Sequence, residues 1–384
     1  MNLGRIAAVA WKEWRETIRD RMFVLLAFLL PVSWMLVFGY GLVQDVEHIP
    51  FGVIDRDHSA LSRDYLYRFF ESRYFSFQGY IPSEKEADGL LQSGKIRVAI
   101  VVPEQFEERL LRGQSLGIQT LIDGTFPLRT DIVKGYVIAI NSAFTGERLV
   151  NYLARRSGSS VERAESQVHP IKVEVRYLYN EEVRSTWSMV PALVMFTLMV
   201  SSPLLTALGI VREKETGSIY NIYSSTVTRF EYLAGKLLPY VVISSMNAVV
   251  LWTIATQWFE VPFKGNLPFF FAASVIFVLT STGIGLIVSL LVRTQIAALV
   301  ITMVVSMLPT ILFSGLIVPV SSLSRGSQIQ AHLFPGMYYT NIVRGAFLKG
   351  VGLEVLWLDV MALALYALLL RGAGYWLFTK RPRS

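Results

Sequence analysis

Six long apolar runs constrain this chain more than any other feature of its sequence. A bilayer core about 30 Å thick is crossed by about 20 apolar helical residues. Inside lipid the backbone must satisfy its own hydrogen bonds, which leaves helices or closed barrels. The runs lie at Met22–Val43, Trp187–Val211, Leu237–Phe259, Leu267–Val292, Ile296–Pro319 and Leu353–Phe378. The first is too long for the core of a signal peptide, and no small-residue cleavage site follows Phe38-Gly39-Tyr40-Gly41. It reads as a retained span. Between the first and second runs the composition is that of a soluble domain. The expected fold class is therefore an α-helical integral membrane protein with six transmembrane helices and an inserted extracytoplasmic α/β domain.

Charge sets the expected direction. Only 17% of residues are charged, against about 25% in a soluble domain. The net charge of +7 comes from basic residues at the ends of the runs, which points to membrane orientation rather than to nucleic acid. Arg5, Lys12, Arg15, Arg19 and Arg21 precede the first run. Arg212, Lys214, Arg229 and Lys236 follow the second, Arg293 lies between the fourth and fifth, and Lys380, Arg381 and Arg383 end the chain. The opposite loops hold Lys264, Arg325, Arg344 and Lys349. Both termini are expected in the cytoplasm, as an even number of spans requires. There is no cysteine, hence no disulfide. Spans one to five contain no ionisable residue within the apolar run, which argues against proton- or sodium-coupled transport. The sixth has Glu354, Asp359 and Arg371, the last read as reaching for the inner interface.

The polar block reads as alternating strands and helices. Phe51–Asp55 and Val98–Val102 are short apolar strands and Ile118–Ile122 is a third, stopped by Asp123-Gly124. Ser83 and Glu86 form a capping pair for a helix that Gly94 ends. Pro103 is expected to open another, closed by Gly113. A long helix follows from Leu128 to Arg156, broken by Ser157-Gly158-Ser159-Ser160. Ile171, Val173, Val175 and Tyr177 alternate as a half-buried strand does. Asp55, Asp57 and His58 have metal-ligand chemistry, but directly after a strand they read as a turn. His48, His169 and His332 are isolated, and no hydrolase, zinc or phosphate-loop motif occurs. Neither catalysis nor a cofactor or metal is expected.

Two features flank the spans on the basic side. Leu3, Ile6, Ala7, Ala10, Trp14 and Ile18 share one face of a helix, while Arg5, Lys12, Glu13, Glu16, Arg19 and Asp20 take the other. A helix of this kind joined to a span is expected to lie along the membrane interface. The loop after the second run carries Arg212, Glu213, Lys214, Glu215, Thr216, Gly217 and Ser218. It continues through Tyr223, Ser224, Ser225 and Thr226 to Thr228, Arg229, Phe230, Glu231, Gly235 and Lys236. Gly217 can end one helix, and Thr228 with Glu231 can cap the next. Such a charged helix–turn–helix suits docking to a soluble protein, and equally a solvated loop.

This loop resembles the coupling segment of ABC transporter type-2 permeases, matching at Glu213, Glu215, Gly217, Glu231, Gly235 and Lys236, with Ser218 where threonine is usual and Thr226 where proline is usual. The resemblance extends over the whole chain, through Lys12-Glu13, Arg19-Asp20, Asp123-Gly124-Thr125 and the Pro- and Gly-rich stretch before the sixth run. It is nearest to bacterial multidrug-type exporter permeases with a large periplasmic domain between spans one and two. The resemblance implies residues 1–21 as a cytoplasmic interface helix, 22–43 as the first span and 44–186 as a periplasmic α/β domain. Residues 187–378 then hold spans two to six, with a coupling loop at 212–236 and a re-entrant outer segment at 309–350, and 379–384 form a cytoplasmic tail. ATPase coupling is implied for Trp14, Glu16, Arg19, Glu213, Glu215, Gly217, Ser218, Thr226, Glu231 and Lys236. The outer gate is implied at Pro309, Gly315, Pro319, Pro335 and Tyr338. From spacing alone, Ser281, Gly285 and Ser289 make a face for close helix packing. With no Gly-x-x-x-x-Gly-Lys-Ser/Thr, ATP is left to a separate ABC ATPase subunit. The other implied partners are a second permease copy or sister permease, a periplasmic adaptor with an outer-membrane channel, and membrane lipid. The implied cargo is an amphipathic, drug-like or lipid-like compound moved outward. A membrane-anchored receptor is the rival reading, and it would normally carry a cytoplasmic output domain.

Overall fold

The computed structural model describes residues 2–42, 46–158, 160–168, 176–220 and 224–379, apart from the Leu128 side chain. The chain divides into two compact units, Met1–Val43 with Arg176–Ser384, and Gln44–Val175. The first unit opens with helix α1 (Leu3–Arg19). Asp20 then breaks the helix and caps the first span, α2 (Arg21–Gly41), accepting the Met22 and Phe23 N–H groups at 2.9 and 3.4 Å.

The second unit is α/β. Its elements are β1 (Ile49–Asp55), α3 (Ala60–Phe70), β2 (Phe75–Tyr80), α4 (Glu84–Gln92), β3 (Val98–Val102), α5 (Phe106–Leu111), β4 (Gln119–Ile122), α6 (Pro127–Ser157) and α7 (Val161–Val168). The sheet order is β2-β1-β3-β4, with β1 parallel to both neighbours and β4 antiparallel to β3. All five residues of β3 are buried, as a continuous apolar strand covered on both faces should be. Phe51, Tyr65, Phe69, Phe106 and Phe144 fill one side, and Ile54, Ile81, Ile96 and Ala99 the other.

Several sequence expectations change here. Strand β2 and helix α7 were not foreseen. Helix α5 begins at Phe106, not at Pro103, because Gln105 intervenes in the left-handed region (φ 58°). Its start is fixed by Asp57, whose carboxylate accepts the Phe106 and Glu107 N–H groups at 3.0 and 3.1 Å. Asp55 in turn accepts the Asp57 and His58 N–H groups and the Ser62 hydroxyl. The carboxylates after β1 are thus turn and cap groups. The strand foreseen at 171–177 falls mostly outside the described residues, and Tyr177 lies in irregular chain.

The other five spans are α8 (Ser185–Glu215), α9 (Arg229–Trp258), α10 (Leu267–Leu291), α11 (Gln295–Phe313) and, after the short helices α12 (Arg325–His332) and α13 (Pro335–Arg344), α14 (Leu353–Leu377). With α2 they make, among the described residues, six helices long and apolar enough to cross a membrane. Every residue of α8 from Met189 to Val211 is buried, so this helix is apolar all round and the others pack about it. The fifth span stops at Phe313, short of the expected Pro319, because Gly315 turns the chain at φ 80°.

Prolines inside the spans leave carbonyls without their usual donors. Pro31 cannot donate to Ala27, and the gap falls beside a π-helical turn at Leu25–Leu29. Asn247 of α9 supplies the donor instead, its Nδ2 reaching the Ala27 carbonyl at 2.7 Å. Asn247→Leu removes this buried bond and is expected to cost about 1–3 kcal/mol. A lowered Tm of the purified protein in detergent checks it, and an unchanged Tm would show that the contact is dispensable.

Candidate functional site

The site lies at the end of the helical unit that carries α1 and the loop between α8 and α9, called here the base. Helix α1 packs along the first turns of α9. Gly235 permits that approach, since a Cβ there would stand 2.7 Å from Val9 Cβ and 2.8 Å from the Ile6 carbonyl oxygen. The face of α1 turned to the protein carries Ile6, Ala10, Glu13 and Thr17, while Leu3, Trp11 and Ile18 stay exposed. The division of faces expected from sequence is therefore rotated, and Glu13 falls on the buried side. Trp14 is half-buried beside the first span's core.

At the centre stands Lys236, 1% exposed. Its ammonium is hydrogen-bonded to Glu13 of α1 and lies 3.2 Å from Glu213 of α8. Tyr232 donates to Glu213 Oε2 at 2.6 Å, and Tyr240 donates to Glu13. Gly209 lets the Tyr240 ring pass, because any side chain there would overlap it. Tyr232, Lys236 and Tyr240 recur every four residues and so line one face of α9. Phe378, just past the sixth span, stacks on Tyr232 at 5.3 Å. Three segments distant in sequence are thus joined through two carboxylates, one ammonium and two phenols. A buried charge is tolerated only when paired and hydrogen-bonded, and each of these is.

Around this core the contacts become more exposed. Lys12 donates to Glu213 Oε1 at 2.9 Å and lies 3.7 Å from Glu16. Partial burial opposes its charge, but the hydrogen bond and charge of Glu213 outweigh that and raise its pKa. Arg212 pairs with Asp20 at 2.8 Å and with Glu16 at 3.5 Å, its guanidinium lying over the Phe23 ring. At the start of α9, Thr228 and Glu231 form the expected reciprocal capping box. Glu231 also accepts the Asn2 N–H at 2.8 Å, and Arg5 donates to the Thr226 carbonyl at 2.9 Å. The N-terminal helix is thereby tied to the cap of the third span.

Of the residues singled out in the sequence, Glu16, Glu213, Thr226, Glu231 and Lys236 come together at the base. Gly217 ends α8 in the left-handed conformation (φ 74°), and Ser218 bonds back to the Glu213 carbonyl at 3.4 Å. Glu215 turns elsewhere: it caps the fifth span, accepting the Gln295 backbone and side-chain N–H groups at 3.0 and 2.9 Å. Arg19 is exposed in the last turn of α1. Tyr223 lies outside the described residues. Glu13, Lys12, Tyr232, Tyr240 and Asn2 were not in the expected set, although the four-residue polar repeat at the head of an apolar run was there to be read.

The expected packing face lies against the second span of the same chain. A Cβ on Gly285 would meet the Pro203 backbone within 3 Å. Ser281 and Ser289 return their hydroxyls to carbonyls of their own helix, and the Ser289 carbonyl accepts Lys214. In the stretch before the sixth span, Pro309 lies inside α11 and Pro319 precedes a short 3-10 turn. Pro335 opens α13 at its first turn, and Tyr338 donates to the His332 carbonyl at 2.9 Å, linking α12 to α13. Arg344 holds the Leu316 carbonyl at 3.2 Å. In the sixth span Asp359 accepts from Asn341 at 3.0 Å, and Arg371 turns into the bundle toward Leu279 and Thr282 of α10.

Comparison with known proteins agrees with this architecture. A family model described as ABC-2 family transporter protein matches residues 21–376. The probable multidrug ABC transporter permease YbhS of Escherichia coli (strain K12) is 29% identical over 378 residues, covering 98% of this chain and 97% of the relative. The probable multidrug ABC transporter permease YbhR of the same organism is 24% identical, covering 98% and 99%. Its inner membrane transport permease YhhJ is 23% identical, covering 94% and 93%. With its six apolar helices, this multi-pass membrane protein belongs to the ABC-2 family of transporter proteins, as a permease subunit.

Proposed function

We propose that this permease is half of an ATP-driven exporter, moving an amphipathic, drug-like or lipid-like compound outward across a bacterial inner membrane. The family implies an ABC ATPase as partner. A second permease copy or a sister permease completes the membrane part, and a periplasmic adaptor with an outer-membrane channel extends it. The density of Lys and Arg near the base supports placing both termini in the cytoplasm. The Gln44–Val175 unit then stands in the periplasm, within an outward domain of residues 44–186. The multidrug label on the relatives supports the choice of cargo.

The observation that carries the coupling role is the buried bridge of α1, α8 and α9 through Glu13, Lys236 and Glu213. A force applied to α1 or to the α8–α9 loop is transmitted to two spans at once, because no member of the bridge can move alone without leaving a charge unpaired. The base, residues 1–21 and 212–236, is on this reading the surface that rests on the ATPase. The exposed residues Leu3, Trp11 and Ile18 supply the lipid-facing stripe of α1. At the other end, the segment 309–350 closes the pathway as a re-entrant pair, with Pro309, Gly315 and Pro319 breaking the span and Pro335 and Tyr338 setting the return helix.

The test is reconstitution with the partner ATPase in liposomes. Deletion of residues 1–20, Glu215→Ala and Glu231→Ala are each expected to lower cargo-stimulated ATP hydrolysis by about tenfold, within the usual range of coupling free energies. Unchanged stimulation in all three would refute the coupling role.

A further inference from the structure

The α/β unit contains a cavity of about 700 Å³ between α3, α5, the loop that follows α5, and α6. This is within the size range of small-molecule sites, which are mainly apolar with a few placed polar groups. Its walls include Tyr65, Phe106, Leu116 and Phe144. Tyr65 is fully buried and donates to Asn141 at 2.5 Å, which leaves the Asn141 amide N–H groups as polar features of the lining. At the mouth stand Leu111, Leu149 and Tyr152, exposed by 73%, 45% and 52%. The sheet core beside them is already complete, with Phe51, Val53 and Val102 fully buried. These three large side chains are thus left largely at the surface, Tyr152 meeting Arg156 of its own helix.

Among the described residues Arg148 is the one charged side chain in the lining. Its guanidinium lies 5.3 Å from the Phe144 ring centroid and pairs with Asp64 through Nη2, while Nε is shut from solvent without a partner. A guanidinium has five donors in a planar fork suited to a carboxylate, phosphate or sulfonate. With one edge of the guanidinium held by Asp64, its remaining donors in an apolar cleft complement a molecule having an apolar body and one anionic end.

We propose that this cavity binds an amphipathic monoanion, with the apolar body against Phe106, Leu116 and Phe144 and the anionic end at Arg148. The inference rests on the reading of an amphipathic cargo for its ligand class. It is tested by binding alone, without nucleotide or ATPase, so its failure and a failure of the coupling experiment are distinguishable.

The probe is a dodecanoate analogue carrying a diazirine at its tail, photolysed with the full chain in lipid nanodiscs and mapped by peptide mass spectrometry. Label is expected in the peptides spanning 106–118 and 141–152, displaced by dodecanoate and much less by dodecanol. Thr145→Trp, at a lining position on exposed α6 surface, fills the cavity and is expected to remove that label. Leu111→Glu, at a position too exposed to matter for folding, places a like charge at the mouth and is expected to do the same. Arg148→Met is expected to weaken dodecanoate competition by about tenfold, the equivalent of one charge-assisted hydrogen bond, and to leave dodecanol competition unchanged. Label confined to the spans, or persisting undiminished in both Thr145→Trp and Leu111→Glu, overturns the site. Equal displacement by dodecanoate and dodecanol overturns the anionic end.

Discussion

Lys236→Met is expected to deprive the protein of a stable base, at a cost of about 3–5 kcal/mol, the usual penalty for breaking a buried ion pair from one side. Lys236 is 1% exposed, and its removal leaves Glu13 and Glu213 facing each other with the shared cation gone. Lys12 still pairs with Glu213 at 2.9 Å, but Glu13 keeps only the Tyr240 hydroxyl, which cannot neutralise a carboxylate. Detergent-solubilised yield and Tm, followed by fluorescence-detected size exclusion, report the loss. The double substitution Glu13→Gln with Lys236→Met removes one charge of each sign and is expected to recover much of it. Lys12→Met is the contrasting case. Its side chain is 43% exposed, and exposed pairs contribute about 0–1 kcal/mol, so a near-normal Tm is expected. If Lys236→Met and Lys12→Met behaved alike, burial would not be what gives the bridge its weight.

Gly285→Leu carries the other large effect. The fourth span passes the second so closely that a Cβ at Gly285 would lie within 3 Å of the Pro203 backbone, which has no rotamer by which to yield. The second span is buried along its whole apolar length and cannot retreat. Overpacking a tight core costs about 1–3 kcal/mol even where side chains can adjust, and here they cannot. Loss of most folded protein is expected. Gly372→Leu is the control within the sixth span, where a Cβ meets nothing within 4 Å. Its Tm is expected to remain close to that of the parent. Equal damage from the two substitutions would place the sensitivity in glycine as such and not in the contact with Pro203.

The parts of this architecture that were legible in the sequence are those governed by local rules. The spans follow from apolar length, and the capping box at Thr228 and Glu231 from a three-residue spacing. The positive-φ glycines at 94, 113 and 217 follow from the left-handed turn at the end of a helix. What was not legible depends on residues distant in the chain. The start of α5 is set by Asp57, and proline alone misplaced it. Glu215 read as part of the loop, but its acceptor role belongs to Gln295 on another span. Glu13 read as one of several solvated acids because the amphipathic pattern of α1 assigns it to the polar side. Only the packing of α1 on Gly235 turns it inward. Its partners, Tyr232, Lys236 and Tyr240, looked like the polar edge of a span, although their repeat of four matches one face of a helix.

The second span has a further consequence because it is one helix from Ser185 to Glu215. At 1.5 Å per residue its 31 residues make a rod about 46 Å long. Its last turn carries Glu213, which belongs to the basal bridge. Turning such a rod through about 5° about its basal end sweeps the far end through about 4 Å, roughly the width of a small side chain. Its natural points of flexure are Pro191 and Pro203, where a backbone hydrogen bond is missing. Pro203 is the residue against which Gly285 is pressed, so one of the two points where this rod can bend is also held by a close backbone contact.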